Sequence, residues 1–253
     1  MKKTKLTLFV TVLAFCLQQG YSQGEVNLKK GLVAHYLLDG DAKDMSKNKL
    51  DGTIHNAKSA TGKNGDENGA FLFNKDAWIT IGKHDKILPN INLTWSAWVK
   101  KAGEDSWGTV LWDDDPSGGG DRFIGILPDG KVHFGDSYGI KGSLYNTRIS
   151  KGRIANEWNH LCFVTDGEIQ KGYINGQLDL LVGVPLRNHA GRSFLSIGAG
   201  HNGYPGPDNS PSQNPKIGAR KFKGSIDDVR IYNRALSAKE VKALYNLEKP
   251  KVR

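Results

Sequence analysis

The sequence predicts an all-β fold, a β-sandwich or jelly roll with a short C-terminal helix, and three observations support this. Apolar segments of strand length recur along the chain, and glycine-rich turns such as PDG at 128–130 separate them. Helical spacing is confined to residues 237–247, where Val241, Leu244 and Tyr245 share one face. Many short strands followed by a single helix are typical of sandwich architectures.

The strand-like segments follow one another along most of the chain. They are residues 32–38, 70–74, 77–81, 93–100, 108–112, 122–127, 131–135, 158–165, 171–176, 193–198 and 224–232. Two stretches interrupt the series. WDDDPSGGGD at 112–121 is predicted to be an acidic loop, and residues 199–221 a longer loop without periodicity. Loops of that length in compact domains tend to be functional or disordered.

The final predicted strand passes into a helix with a recognisable start. Ser237 and Glu240 have the spacing of a capping box, in which each side chain bonds the other residue's backbone N–H. Leu236 is placed to pack against Val241 across this N-cap.

The first 22 residues have the pattern of a secretory signal peptide. Three lysines precede an apolar run of 12 residues, and small residues precede a suitable cleavage point before Gln23. The run is too short to span a bilayer, which needs about 20 residues. We therefore predict a leader at 1–22 and a domain at 23–250. The product would be exported to the periplasm, the cell surface or the extracellular space.

Charge and cysteine usage limit the classes of partner and the sources of stability. Removing the leader takes away three lysines and no acidic residue, so the formal net charge falls from +9 to +6. Basic residues are scattered among acidic ones, which indicates a mixed surface rather than a nucleic-acid site. Cys16 lies in the leader, so Cys162 has no partner for an intrachain disulfide and is predicted to be buried.

Four segments carry a family resemblance. They are residues 31–57, LTWSAWVKKAG at 93–103, residues 157–178, and FKGSIDDVRIYNRALS at 222–237. Together they resemble the laminin-G-like, concanavalin A-like jelly-roll domains of bacterial secreted proteins. The resemblance implies two antiparallel sheets packed as a curved sandwich, used for carbohydrate or protein binding and often containing a structural calcium ion. Fold alone does not decide among these functions.

Adjacent carboxylates in the closing strand suggest where calcium would bind. Asp227 shares side-chain parity with Val229, so it is expected to point toward the core and to need compensation for its charge. Asp44 lies on an oxygen-rich loop near the other chain end, and calcium prefers oxygen ligands. We predict a structural calcium site with Asp44 and Asp227. The alternative is that Asp44 caps a turn and Asp227 pairs with Arg230 or with backbone amides.

Motifs for catalysis are missing from the sequence. Retaining glycoside hydrolysis needs two carboxyl groups about 5 to 5.5 Å apart, which alternate positions of a strand can supply. No two glutamates have that spacing, and Asp113 and Asp115 have it only in the predicted loop before Pro116. A Gly-x-Ser-x-Gly elbow and a cysteine–histidine arrangement are also missing.

Aromatic and polar side chains of the two long loops are the candidate glycan ligands. Aromatic faces pack on sugar rings, while carboxylates and amides bind hydroxyls, and the acidic residues could also hold a second calcium. The candidates are Trp107, Trp112, Asp113, Asp115 and Asp121 around the first loop, and His201, Asn202, Tyr204 and Asp208 in the second. The alternative is that both loops are merely solvated.

These observations together predict a secreted, non-catalytic module that binds a polysaccharide or other glycan and carries structural calcium. Two alternatives stay open: a secreted glycoside hydrolase or polysaccharide lyase with an unrecognised site, and an adhesion module with a protein partner. Neither a nucleic-acid partner nor a membrane span is expected.

Overall fold

A computed structural model describes residues 26–74, 76–82, 91–103, 107–115, 120–136, 148–183, 194–200 and 221–251. The strands within these ranges are β1 (Leu32–Tyr36), β2 (Thr53–His55), β3 (Lys58–Ala60), β4 (Ala70–Phe73), β5 (Trp78–Gly82), β6 (Asn92–Lys101), β7 (Gly108–Asp115), β8 (Gly120–Ile126), β9 (Lys131–Asp136), β10 (Ile149–Arg153), β11 (Trp158–Asp166), β12 (Gln170–Ile174), β13 (Gln177–Val182), β14 (Phe194–Ile197) and β15 (Gly224–Tyr232). The helix α1 is Ala238–Glu248.

The strands form two antiparallel sheets. The eight-stranded sheet has the order β13-β12-β11-β6-β15-β4-β3, and β1 joins it by pairing with β15. The seven-stranded sheet has the order β10-β9-β8-β7-β14-β5-β2. With one short helix at the C-terminal end, this arrangement confirms the predicted jelly-roll sandwich.

The main core lies between the sheets, and over most of the strands it is built by alternation of side chains. On β11, Leu161 and Phe163 belong to this core, while Cys162 and Val164 belong to a second cluster on the opposite face. Successive side chains of a strand point to opposite faces, so β11 is apolar on both sides. Cys162 is a buried free thiol, as predicted.

Helix α1 covers the outer face of the eight-stranded sheet. Its N-cap is Ser237, and both hydrogen bonds of the capping box with Glu240 are present. Leu236, Val241 and Leu244 are buried in the second cluster, together with Cys162 and other side chains from the sheet. The helix therefore closes the fold by burying its apolar stripe against strands that already face the main core on their other side.

A β-bulge in β15 overturns the predicted direction of Asp227. The pairing with β6 shifts register between Asp227 and Arg230, and Asp228 has a left-handed backbone with φ of 50°. Ile226 and Val229 both lie in the main core, although they are three positions apart. The extra residue reverses the parity between them, so Asp227 lies on the outer face and the prediction that it points into the core was wrong.

Among the described residues, no helix is long and apolar enough to cross a membrane.

Candidate functional site

The outer face of the seven-stranded sheet carries a cluster of aromatic rings. Leu111 and Ile124 belong to the core between the sheets, so their neighbours Trp112 and Phe123 point outward. These two residues are paired in register, and their rings stack with centroids 5.3 Å apart. His133 on β9 meets the edge of the Phe123 ring at 4.7 Å.

Trp107, just before β7, lies over this cluster. A Cβ atom added to Gly125 would come within 2.6 Å of the Trp107 Nε1 atom, so the indole rests directly on a bare stretch of backbone. Its ring meets Phe123 edge-on at 5.5 Å and Trp112 edge-on at 6.2 Å. Trp107 is half-buried, with its Nε1 atom covered, and it is less buried than Trp112, Phe123 and His133.

A second aromatic pair stands at the end of the same sheet. His55 of β2 and Trp78 of β5 are register partners, and their rings stack with centroids 4.7 Å apart and an angle of 15°. The Trp78 Nε1 donates a hydrogen bond to the Thr80 hydroxyl at 3.2 Å. Both aromatic side chains are half-buried. This pair had no signal in the sequence beyond the tryptophan itself, because β2 is too short and too polar to show a strand pattern.

Burial corrects the prediction for the region around the first loop. Trp112 and Asp113 lie within strand β7 and are 0% and 1% exposed, so the expectation that they flank an open loop was wrong. Asp113 lies on the core side of the strand, where its carboxylate is 3.9 Å from the buried Arg122 guanidinium of β8. Asp113 and Arg122 are register partners, which shows that the pairing of β7 with β8 continues past Trp112.

The remaining predicted ligand residues lie either in strands or outside the described residues. Asp115 is the last residue of β7 and Asp121 lies in β8, so both belong to strands rather than to the predicted loop. The candidates from the second loop lie outside the described residues; they are His201, Asn202, Tyr204 and Asp208.

Asp44, the first predicted calcium ligand, is fully engaged by protein donors. Its Oδ1 accepts the backbone N–H groups of His35 and Ser46 at 2.9 and 2.8 Å. Its Oδ2 accepts the Ser46 hydroxyl at 2.7 Å and the Leu50 N–H at 2.9 Å. Burial alone would raise the pKa of Asp44, but these hydrogen bonds outweigh it and lower the pKa. This is the turn-capping arrangement that the sequence left open as the alternative to calcium.

Asp227 and Asp228 share one cation, Lys63, whose role the sequence did not reveal. The Lys63 ammonium lies 3.3 Å from Asp227 and 2.9 Å from Asp228, and the Lys63 backbone N–H donates to Asp227 at 3.1 Å. Asp228 also bonds the His35 ring at 2.6 Å and lies 3.7 Å from the Arg230 guanidinium. The acidic pair therefore joins β15 to β1 and to the segment that contains Lys63.

These contacts set the protonation of the cluster. Burial raises the pKa of Asp227 to about 6, although Lys63 opposes this. Burial alone would raise the pKa of Asp228 too, but the His35 hydrogen bond and the Lys63 charge outweigh it and lower the pKa. Burial alone would lower the pKa of Lys63, and the two aspartates overcome that effect and raise it. At neutral pH the cluster is therefore held together by buried opposite charges.

The cluster continues beneath helix α1 through Glu248. Its carboxylate lies 2.5 Å from the Arg230 Nε atom and accepts a hydrogen bond from the Trp98 indole at 3.0 Å. His160, fully buried beside Trp98, has its pKa lowered by burial to about 3. The end of the helix is therefore tied to the sheet by charge as well as by apolar packing.

Calcium at Asp44 and Asp227 stays a prediction. Within the described part of the chain, no group of three or more histidine, cysteine, aspartate or glutamate side chains could hold a metal ion. Calcium takes six to eight oxygen ligands. The oxygens of Asp44 already accept four hydrogen bonds, and Asp227 faces an ammonium group, so this pair does not fit the ion.

Comparison with known families identifies the fold. Residues 73–242, about two thirds of the chain, match the family described as the concanavalin A-like lectin/glucanases superfamily. The chain belongs to this superfamily. The resemblance stated from the sequence is thereby confirmed. A search of curated proteins finds no significant match.

Solved structures show the same fold at low sequence identity. Domain 4 of AbnA, a GH43 extracellular arabinanase from Geobacillus stearothermophilus solved in complex with arabinotriose, is 24% identical with a TM-score of 0.61, over 85% of this chain and 98% of that one. The binding domain of Paraclostridial Mosquitocidal Protein 1 is 20% identical with a TM-score of 0.60, over 87% of this chain and 53% of that one. The binding domain of botulinum neurotoxin DC in complex with SialylT is 12% identical with a TM-score of 0.61, over 87% and 52%. This chain thus spans about half the length of the two toxin domains.

Proposed function

We propose that this superfamily member is an exported, non-catalytic module that binds carbohydrate through the outer aromatic face of its seven-stranded sheet. The observation that carries the proposal is the half-buried Trp107 ring, supported on Gly125 and braced by the edges of Trp112 and Phe123. A ring fixed in this way can pack on the apolar face of a sugar without losing much conformational freedom.

The wider face offers a second contact for a chain-like ligand. Trp78 and Trp107 lie over β5 and β8, which are three strand spacings apart in this sheet, or about 14 Å. Trp112 on β7 lies between them, and Phe123 lies on β8; both are buried, so they support the face rather than contact the ligand. Two separated, half-buried tryptophans favour an oligosaccharide over a monosaccharide.

The fold neighbours support this proposal in a limited way. One neighbouring domain was solved with arabinotriose and another with SialylT, so the same sandwich accommodates sugars in other proteins. Another structure of the botulinum neurotoxin DC binding domain contains rat synaptotagmin II, so a protein ligand is the alternative for this chain. The aromatic face favours sugar as the first ligand class to test.

Affinity electrophoresis tests the proposal directly. The parent protein should be retarded in native gels that contain one or more members of a polysaccharide panel including arabinan. Trp107→Ala should weaken that retardation about tenfold or more, equivalent to about 1.4 kcal/mol of binding free energy. Trp158→Ala is the matched control, because Trp158 is a half-buried tryptophan on the other sheet.

The outcomes separate the competing functions. Retardation of the parent without release of reducing sugar supports a binding module, whereas sugar release would support a glycan-active enzyme. Equal retardation of the parent and Trp107→Ala would contradict the assignment to this face. If no polysaccharide retards the parent, the protein-ligand alternative becomes the stronger one.

A further inference from the structure

A separate pocket lies at the meeting point of the two chain ends. It has a volume of about 1150 Å³ and is enclosed by residues 26–32, residues 45–47, the polar side of β1 and β15, and helix α1. This is slightly above the range of about 300–1,000 Å³ that is usual for small-molecule sites. The pocket lies on the outer side of the eight-stranded sheet, away from the proposed sugar-binding face.

One part of the pocket wall is apolar and open to solvent. Leu28 and Leu32 contribute from the N-terminal side, and Leu247 contributes from helix α1. Met45 and Leu247 are 54% and 65% exposed, which makes them two of the most exposed large apolar side chains in the described structure. Exposed apolar side chains gathered around one cavity indicate a surface that a ligand covers.

The floor of the pocket is polar and held in a fixed geometry. His35 and Arg230 both line the pocket, with side chains 14% and 13% exposed. Behind them, Asp228 holds the His35 Nε2 atom at 2.6 Å, and Glu248 holds the Arg230 Nε atom at 2.5 Å. Each donor group is therefore oriented by a buried carboxylate before any ligand arrives.

The charge of the pocket has one sign. Every charged side chain among its described lining residues is basic, and Lys29 and Lys47 stand exposed at the rim. Burial raises the pKa of Glu248 to about 8, so at neutral pH Glu248 offsets the charge of Arg230 only in part, and the two lysines add further positive charge. Tryptophan, tyrosine and phenylalanine do not occur among the described lining residues, so the pocket lacks the flat platforms that sugar rings pack on.

We propose that this pocket binds a small amphiphile with one oxyanion head, a carboxylate or a phosphate, and an apolar body. The head would sit at Arg230 and His35, within reach of the rim lysines, and the body would cover the exposed Met45 and Leu247 side chains. Arg230 and the lysines suit an oxyanion because charge-assisted hydrogen bonds to it are the stronger kind. This site is independent of carbohydrate binding at the aromatic face.

Isothermal titration with three probes of equal chain length tests the proposal. Octanoate and octyl phosphate carry the two possible heads, and octanol carries the same body with an uncharged head that is not a sugar. At least one of the two anions should bind the purified protein at least about tenfold more tightly than octanol. Binding of that anion should weaken as salt is added, because the rim lysines are exposed and screened by ions.

A variant that introduces a negative charge, with a matched control, locates the site. Leu247→Glu places a carboxylate at the exposed pocket wall without disturbing the core and should weaken anion binding about tenfold or more. Leu181→Glu is the control, since Leu181 is 57% exposed on β13 and does not line the pocket. Lys47→Ala provides a second, smaller reduction at the rim.

The results have distinct meanings. Tighter binding of octanoate than of octyl phosphate assigns a carboxylate head, and the reverse order assigns a phosphate head. Failure of both anions to bind, octanol binding as tightly as the anions, or equal loss in Leu247→Glu and Leu181→Glu would each overturn the proposal. None of these results bears on the retardation of the parent protein in polysaccharide gels.

Discussion

The outer faces of the two sheets are covered by different kinds of side chain, aromatic on one sheet and charged on the other. On the seven-stranded sheet, Trp107, Trp112 and Phe123 pack against one another through ring edges and faces. On the eight-stranded sheet, the acidic pair Asp227 and Asp228 is covered by basic groups and by the end of helix α1. Both faces are buried at their centres, but by different means.

The two means respond differently to a change of a single side chain. An aromatic cluster is non-directional, so removing one ring costs packing and leaves a cavity. A buried charge cluster depends on matched partners, so removing one member leaves another buried and uncompensated. The first type of loss is independent of pH, whereas the second follows the protonation of the groups left behind.

The largest effect is expected from the aromatic face. Trp112→Ala should lower the free energy of unfolding by about 3–5 kcal/mol, because the side chain is fully buried. Urea denaturation at several pH values measures it, and the loss should be the same at each. Trp158→Ala, at a half-buried position, should cost clearly less. Comparable losses for the two variants would show that the aromatic cluster contributes no special packing.

Removing the shared cation should come next. Lys63→Met should lower the free energy of unfolding by about 3 kcal/mol at neutral pH, since two buried carboxylates lose their partner. The loss should shrink as the pH falls toward about 6, because Asp227 is protonated below its pKa and then needs no cation. Exposed Lys58→Met serves as the control. A loss that does not change with pH would place this face in the same class as the aromatic one.

The pH response of Asp227 can be isolated by comparing the parent with Asp227→Asn. Burial raises the pKa of this group from 3.8 to about 6, so its contribution is fully present at low pH and is lost as the pH rises. The stability of the parent relative to the variant should therefore fall by about 2 to 3 kcal/mol between about pH 4 and about pH 6. Asp66→Asn, at an exposed position, should show no such trend. A rise over this range would mean that the ion pair with Lys63 outweighs burial.

Chelation should have the smallest effect. The contacts of Asp44 and Asp227 predict an unchanged melting midpoint in EDTA and in added calcium, because both carboxylates already have protein donors. A calcium-dependent rise that disappears in Asp44→Asn would instead support the ion site predicted from the sequence. Tyr36→Phe, which removes a hydroxyl bonded to the Leu50 carbonyl nearby, controls for loosening of that loop.

Periodicity and capping signals were enough to predict most of the fold. The predicted helix at 237–247 and the observed Ala238–Glu248 differ by one residue at each end, and the Ser237–Glu240 capping box is present. Strands β2 and β3 were missed because three residues cannot display an alternating pattern, and strands β10 and β13 were also missed. Long strands with two buried faces, such as β11, were easy to predict because they are apolar throughout.

The candidate site was harder to predict because it depends on positions that periodicity does not encode. One additional residue at Asp228 reversed the parity on which the direction of Asp227 was based. Trp112 packs against Trp107, five residues earlier, and against Gly200, which comes from a distant part of the sequence. Lys63 had no local signal, since nothing near it indicates that it meets residues more than 160 positions later.

The pairing of β1 with β15 has a consequence for the order in which the domain can fold. Leu32 and Tyr232 are register partners, although 200 residues separate them along the chain. The first strand therefore has no place in the sheet until the last strand has been made. Contacts between such distant residues form slowly, so a nascent chain would expose β1 until its C-terminal part has been synthesised.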